Sequence, residues 1–375
     1  MSTHSLLQLG WRPFHSQQLS LEDFESAHPA RVTSVHRSGL IVLSERGSHS
    51  VTIPPRVIEQ LDRPVTVGDW MLIENEAPRV HRILAAYGTI TRVAAGSEHR
   101  LQAIAANLDT LFVVTSCTKR QDSRFVQPSG CPQGEAHGRA ERYHDFNRSR
   151  LERYLAVAYE AQVEPVIVLT KADLCDDVDD LIDQARSLAN ALQVVAVNGT
   201  EPAAATSIDP WIQPGQTVAF VGSSGVGKST LVNTLIGNAS QATGGVREDD
   251  GRGRHTTTAR EMFALASGAW VIDTPGMREL KVGAVDNGLR AVFDNIEALA
   301  TQCHFRDCRH ESETGCAVLA AIAAGQLDPR RLSSYRKLQR EAALANMSNA
   351  ARRERDRRFG RMAASAMQIK RKNKE

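Results

Sequence analysis

The spacing of apolar residues changes period along the chain, and those changes divide it. Five short runs, at 31–34, 40–44, 48–53, 67–74 and 79–86, are strand-like and separated by polar or glycine-containing breaks. Val67-Gly68-Asp69-Trp70 reads as a turn feeding the fourth of them. Five such strands suit a small β-barrel of the OB-fold kind, although period alone does not separate it from an SH3-like barrel. Aromatic residues are sparse in this stretch, so contact with nucleic acid there is expected through backbone and shape more than through base stacking.

From about residue 100 the pattern becomes that of an α/β sheet. Unbroken apolar runs at 111–115, 165–169, 216–221 and 268–272 read as buried strands. Between them lie stripes at helical spacing: Leu151, Tyr154, Leu155 and Ala158 in a helix beginning near Asn147, then Val178, Leu181, Ile182 and Ala185. A further stripe, Leu289, Val292, Phe293, Ile296 and Leu299, leads into a cysteine-containing segment. Residues 118–144 carry Gly, Pro, Gln, Arg and Ser with few apolar side chains, and read as an inserted surface loop.

Three of the strand runs end in polar motifs. Gly222-Ser223-Ser224-Gly225-Val226-Gly227-Lys228-Ser229 fits G-x-x-x-x-G-K-[ST] between a strand and a helix. Its glycines let backbone N–H groups turn inward on phosphate oxygens at a helix N-terminus. Lys228 is placed to reach the β- and γ-phosphates, Ser229 to ligate magnesium, and Thr230 extends the site. Thr170-Lys171-Ala172-Asp173 follows the run 165–169 and has the form of a guanine reader, with the Asp173 carboxylate accepting from N1–H and the 2-amino group. Adenine has neither donor there, so guanine is favoured. Asp273-Thr274-Pro275-Gly276 has the form DxxG, in which the Asp holds magnesium through water and the Gly N–H meets the γ-phosphate. The order is the reverse of the usual one: the base reader precedes the phosphate loop, so a single site requires a circularly permuted fold.

Met277 follows DxxG where a water-orienting glutamine is common, and its thioether cannot do that work. The stretch Gly251-Arg252-Gly253-Arg254-His255-Thr256-Thr257-Thr258 is the nearest polar replacement. His255 is the candidate to orient or polarise the attacking water, the alternative being a solvated histidine or one on an RNA phosphate. One of the three threonines completes the magnesium shell, with Thr257 as the candidate.

Six cysteines in 375 residues do not make a disulfide scaffold. Cys303, Cys308, His310 and Cys316 supply four soft or borderline ligands in a short segment, a complete tetrahedral zinc set with no open position. The spacing is not the paired C-x2-C, and His304 is an unneeded spare; buried free thiols are the alternative.

Net charge is +2, but residues 330–375 hold fifteen Lys or Arg against four Asp or Glu, net +11, which leaves residues 1–329 at −9. A cationic tail of this kind suits RNA phosphate, or else a solvated helix face with a frayed end. Neither a signal-peptide pattern nor a run of membrane-spanning length is evident, so a cytoplasmic protein with no membrane partner is expected. A monomer is expected.

Taken together, TKAD, GSSGVGKST, GRGRHTTT and DTPG in that order, followed by the Cys303, Cys308, His310 and Cys316 spacing, make the chain similar to the ribosome small-subunit-dependent GTPase A family of circularly permuted GTPases (RsgA, also called YjeQ). The resemblance covers nearly the whole chain. It implies a multidomain α/β protein: an N-terminal extension at 1–30, an OB-fold at 31–95, a permuted GTPase domain at 100–284 with the insertion at 118–144, and a mainly helical zinc-binding domain with the basic tail at 285–375. It also implies GTP hydrolysis with magnesium, stimulated by the small ribosomal subunit, in late maturation of that subunit. The segment Val195-Ala196-Val197-Asn198 departs from the family's Ser-Ala or Ser-Ser base-supporting loop, so it receives no base contact. A metabolic phosphate-loop kinase is disfavoured by Asp173 and DxxG, while an RNA-binding scaffold with a structural nucleotide site remains as the alternative.

Overall fold

A computed structural model describes residues 4–36, 39–93, 101–118, 145–236, 260–273 and 285–346. Its strands are β1 (Ala27–His36), β2 (Gly39–Ser44), β3 (Gly47–Val51), β4 (Trp70–Glu74), β5 (Val80–Ile83), β6 (Ile90–Val93), β7 (Leu101–Ala105), β8 (Thr110–Ser116), β9 (Glu164–Thr170), β10 (Gln193–Val197), β11 (Thr217–Val221), β12 (Arg260–Ala264) and β13 (Trp270–Asp273).

The first five strands pair antiparallel as β3-β2-β1-β4-β5. A parallel bridge between Thr52 and Arg79 joins the far ends of β3 and β5, so the ladder runs β1-β2-β3-β5-β4 and returns to β1. Inside lie Val32, Val42, Val51, Met71, Ile73 and Val80, the alternate residues that the period-two pattern directs to one face. Residues 67–69 form the turn that the sequence pattern reads as feeding the fourth strand: Gly68 has φ +90°, a side chain there would strike the Ala106 carbonyl oxygen, and the strand itself begins at Trp70.

The second sheet is mixed. β10, β9, β8, β11 and β13 lie side by side and parallel, and β12 pairs antiparallel to β13. β8 and β11 are buried along their whole length, which is why their central residues, 111–114 and 218–221, are all apolar. Their alternate residues feed two cores. Phe112, Val114, Val218 and Phe220 meet Leu231 and Leu235 of the helix Lys228–Ile236 on one face. Leu111, Val113, Ala219 and Val221 meet Leu151, Leu155 and Leu289 on the other. The run at 268–272 begins not as strand but as the β12–β13 turn: Gly268 has φ +86° and its N–H donates to Leu265 O at 3.0 Å.

Barrel and mixed sheet are joined by strand pairing, β1 to β12 at Ser34↔Glu261 and Val35↔Arg260. Residues 4–26 fasten the joint. Arg31 is fully buried, and its guanidinium donates to Leu9 O at 2.6 Å, Asn107 O at 3.1 Å and Gly68 O at 3.3 Å, with Trp70 5.7 Å away. Burial draws that guanidinium down to about 10. Buried His15 meets Asn107 Oδ1 at 3.1 Å, and Arg12 pairs with Asp109 at 2.6 Å. β6 and β7 pair antiparallel in a separate two-stranded sheet.

The C-terminal helices pack back on the sheet. Gly288, on the helix Asp286–Val292, lies so close to Ala156 O of the helix Arg148–Glu160 that a Cβ has no room, and its N–H donates to Glu160 Oε2 at 2.8 Å. Glu152, fully buried, accepts from Arg330 at 3.0 Å and Ser334 at 2.5 Å and faces Arg331 at 3.5 Å. Arg331 also donates to Val292 O at 2.7 Å and lies 5.0 Å from the Phe293 ring. This ties the helix Pro329–Asn346 to the helix Arg148–Glu160 through a charge cluster whose disruption leaves a buried cation unpaired, at a cost of about 3–5 kcal/mol.

Candidate functional site

β8, β9 and β11 are parallel neighbours, so the segments leaving their C-terminal ends meet at one edge of the sheet, the position where open α/β sheets bind ligands. Gly222-Ser223-Ser224-Gly225-Val226-Gly227 leaves β11 and runs into the helix Lys228–Ile236. Gly222, Gly225 and Gly227 have φ of +143°, +82° and +92°. At Gly222 a side chain would meet the Val114 carbonyl oxygen, so both conformation and space call for glycine there. Val226, 2% exposed, pins the loop to the core, while Ser224, Gly225, Ser229 and Thr230 face outward. Lys228 lies over its own loop, donating to Gly222 O at 2.8 Å and to Ser223 O.

Thr170-Lys171-Ala172-Asp173 docks on this loop. Thr170 ends β9 and is buried; its hydroxyl donates to Val226 O at 2.5 Å and Thr115 O at 3.2 Å. Lys171, at φ +56°, turns the chain so that Nζ donates to Gly225 O at 3.2 Å. Asp173 sits in the 3-10 turn Ala172–Leu174 and is exposed. Two motifs about fifty residues apart, in reversed order, thus share one edge through named contacts. Asp273 ends β13, next to β11. His255, Thr256, Thr257, Thr258, Thr274, Gly276 and Met277 lie outside the described residues.

The segment 195–198, which the sequence reading left without a base contact, makes local contacts at Asn198. It completes β10, and Asn198 Oδ1 closes a local turn by accepting from Thr200 N at 3.2 Å. Sequence reasoning missed Arg150 and Asp145. Arg150 pairs with Asp145 at 2.5 Å and touches Ser223 Oγ, and no motif marks either residue.

The second site is the cysteine–histidine cluster. One ligand atom each from Cys303, Cys308, His310 and Cys316 lie within 4.8 Å of one another. Cys303 Sγ is 3.9 Å from Cys316 Sγ and 3.7 Å from His310 Nδ1, which is 3.4 Å from Cys316 Sγ. A tetrahedral zinc with ordinary bond lengths separates two sulfurs by about 3.8 Å and sulfur from nitrogen by about 3.6 Å, so Cys303, His310 and Cys316 stand close to the spacing such an ion needs, and with Cys308 the cluster could hold one metal ion. His310 is 8% exposed at φ +56°, and Cys316 caps the helix Ala317–Ala323 by accepting from Leu319 N at 3.4 Å. His304 is outside the cluster, edge-on to Phe305 at 4.7 Å.

Residues 140–283 match the family model described as RsgA GTPase. A Vibrio parahaemolyticus protein named small ribosomal subunit biogenesis GTPase RsgA 2 is 44% identical over 374 residues, covering 100% of this chain and 96% of that protein. The chain belongs to the RsgA GTPase family. A Mesorhizobium japonicum RsgA is 45% identical over 343 residues, covering 91% of this chain and 90% of that protein. Among solved structures, Thermotoga maritima YjeQ superimposes with TM-score 0.58 at 19% identity, covering 86% of this chain and 100% of that one. YloQ, described as a circularly permuted GTPase, gives 0.54 at 21%, covering 86% and 97%. This RsgA-family chain therefore has the permuted GTPase fold and is a GTP hydrolase. Among its described residues no helix is long and apolar enough to cross a membrane.

Proposed function

We propose that the protein is a cytoplasmic, monomeric GTPase that binds the small ribosomal subunit and its rRNA during late biogenesis of that subunit, and hydrolyses GTP to GDP and phosphate there. The observation that carries this is full-length similarity, at 44% identity, to a protein named for that role, in a chain whose guanine and phosphate motifs meet at one sheet edge.

In this reading Asp173 selects guanine, Thr170 and Lys171 hold the reader to the loop, and the N–H groups of 222–230 bind the phosphates. Lys228 leaves the loop carbonyls for the β- and γ-phosphates. Magnesium is held by Ser229 and Thr257, with Asp273 acting through water, and the Gly276 N–H meets the γ-phosphate. With methionine after DxxG, His255 orients the water. Zinc is the metal of Cys303, Cys308, His310 and Cys316, a structural ion with all four positions filled by protein.

The β-barrel is read as an OB-fold, supported by its ladder order and its parallel closing bridge. The units are an extension at 1–30, the barrel at 31–95, the permuted domain at 100–284 and the zinc domain with its tail at 285–375. DxxG lies at the covalent junction with that last unit, so loss of the γ-phosphate relaxes the junction and releases the protein from RNA. Co-sedimentation tests this. The protein should pellet with small and not large subunits in a non-hydrolysable GTP analogue and be released in GDP, whereas equal retention in both nucleotides rules out the release step.

A further inference from the structure

Among the described residues three cations touch the phosphate loop: Lys228 at Gly222 O and Ser223 O, Lys171 at Gly225 O, and Arg150 at Ser223 Oγ. The first two belong to recognised motifs. Arg150 belongs to none, and its placement follows from the fold. β8 and β11 are parallel neighbours, so the helix that follows β8 starts beside the loop that follows β11. Asn147 caps that helix by accepting from Arg150 N at 3.1 Å, which puts Arg150 in its first turn. Asp145, just before the cap, accepts from Thr115 Oγ1 of β8 at 3.3 Å and from Arg150 at 2.5 Å. A chain of polar contacts therefore runs Thr115, Asp145, Arg150, Ser223, from the middle of the sheet to the phosphate loop.

A helix-surface arginine that merely pairs with a nearby carboxylate has no need to reach across to another loop. Here one guanidinium nitrogen, Nη1, donates to two partners, the Asp145 carboxylate and the Ser223 hydroxyl, and the second partner is the residue whose carbonyl also holds Lys228. The planar guanidinium, with several donors in fixed geometry, suits such a bridge in a way that an ammonium does not.

We propose that Arg150, held by Asp145, is a positioning residue for the nucleotide: through Ser223 it fixes the phosphate loop in the shape that receives GTP. This rests on the reading of residues 222–230 as the phosphate site. Because the loop has one shape for bound substrate and transition state alike, its loss appears in KM more than in kcat.

The test uses the full-length chain as wild type, R150A, R150K, S223A and R150A/S223A, with melting temperatures compared first. GTP hydrolysis gives KM and kcat, and a fluorescent GTP analogue gives Kd. R150A is expected to raise KM and Kd about tenfold, the loss of one charge-assisted hydrogen bond, with kcat changed by less than about twofold. R150K should fall between, and the double variant should be no weaker than R150A alone. Unaltered Kd in R150A overturns the proposal, as do effects of R150A and S223A that multiply in the double variant, since Arg150 would then act independently of Ser223. A wild-type protein that fails to bind the analogue would sink the phosphate-site reading itself, an outcome separate from either of these.

Discussion

Lys228→Ala is expected to lower GTP hydrolysis about a thousandfold and to abolish measurable binding at micromolar nucleotide, with the melting temperature unchanged. The expectation comes from what the lysine touches. Its Nζ donates to the neutral carbonyls of Gly222, at 2.8 Å, and Ser223. An ionised phosphoryl oxygen is a stronger acceptor than a carbonyl, so nucleotide binding redirects the ammonium without cost to the fold. The surrounding backbone is built for the same purpose, with three glycines at positive φ and Val226 anchored in the core. No cation other than Lys228 is covalently part of the loop-to-helix junction, so Lys171 and Arg150 cannot take over its position. Calorimetric titration and phosphate release check the claim together; a variant that binds GTP as the wild type does would remove Lys228 from the site.

The second large effect concerns the metal. Purified protein should carry one zinc per chain, and strong chelation or Cys316→Ser should unfold the segment 303–323. Four ligand atoms lie within 4.8 Å of one another, and Cys316 also caps the helix Ala317–Ala323. Structural zinc contributes about 10–16 kcal/mol of apparent binding energy in small folded modules, far more than the packing of one seven-residue helix provides. Elemental analysis and thermal unfolding are the readouts. Zinc-free protein with an unaltered unfolding profile would mean that the cluster is a set of free thiols.

How much of this was legible in the sequence depends on how local each signal is. The strands 111–115 and 165–169 were, because parallel strands covered on both faces must be apolar throughout, and they emerge as Thr110–Ser116 and Glu164–Thr170. Gly222 to Ser229 and TKAD stand out in the sequence because each is a run of consecutive residues, and the structure brings the two runs together at one sheet edge. Gly268 was read as part of a strand because it continues an apolar run, whereas the structure uses its positive φ in a turn. Residues 4–26 show no period, and their partners Asn107 and Asp109 are about ninety residues away, so neither buried His15 nor the Arg12–Asp109 pair could be inferred. The buried cluster of Glu152 with Arg330, Arg331 and Ser334 was hidden for the same reason: in the sequence those residues look like ordinary charged helix faces. Arg150 is another such case, marked only by where two parallel strands bring their following segments.

GTP hydrolysis by the purified protein, measured alone, with small ribosomal subunits and with large subunits, tests the central claim most directly. Slow basal turnover that rises strongly with small subunits and not with large ones is the expected result. Turnover that responds to neither, or equally to both, would contradict it and favour an RNA-binding scaffold with a structural nucleotide site.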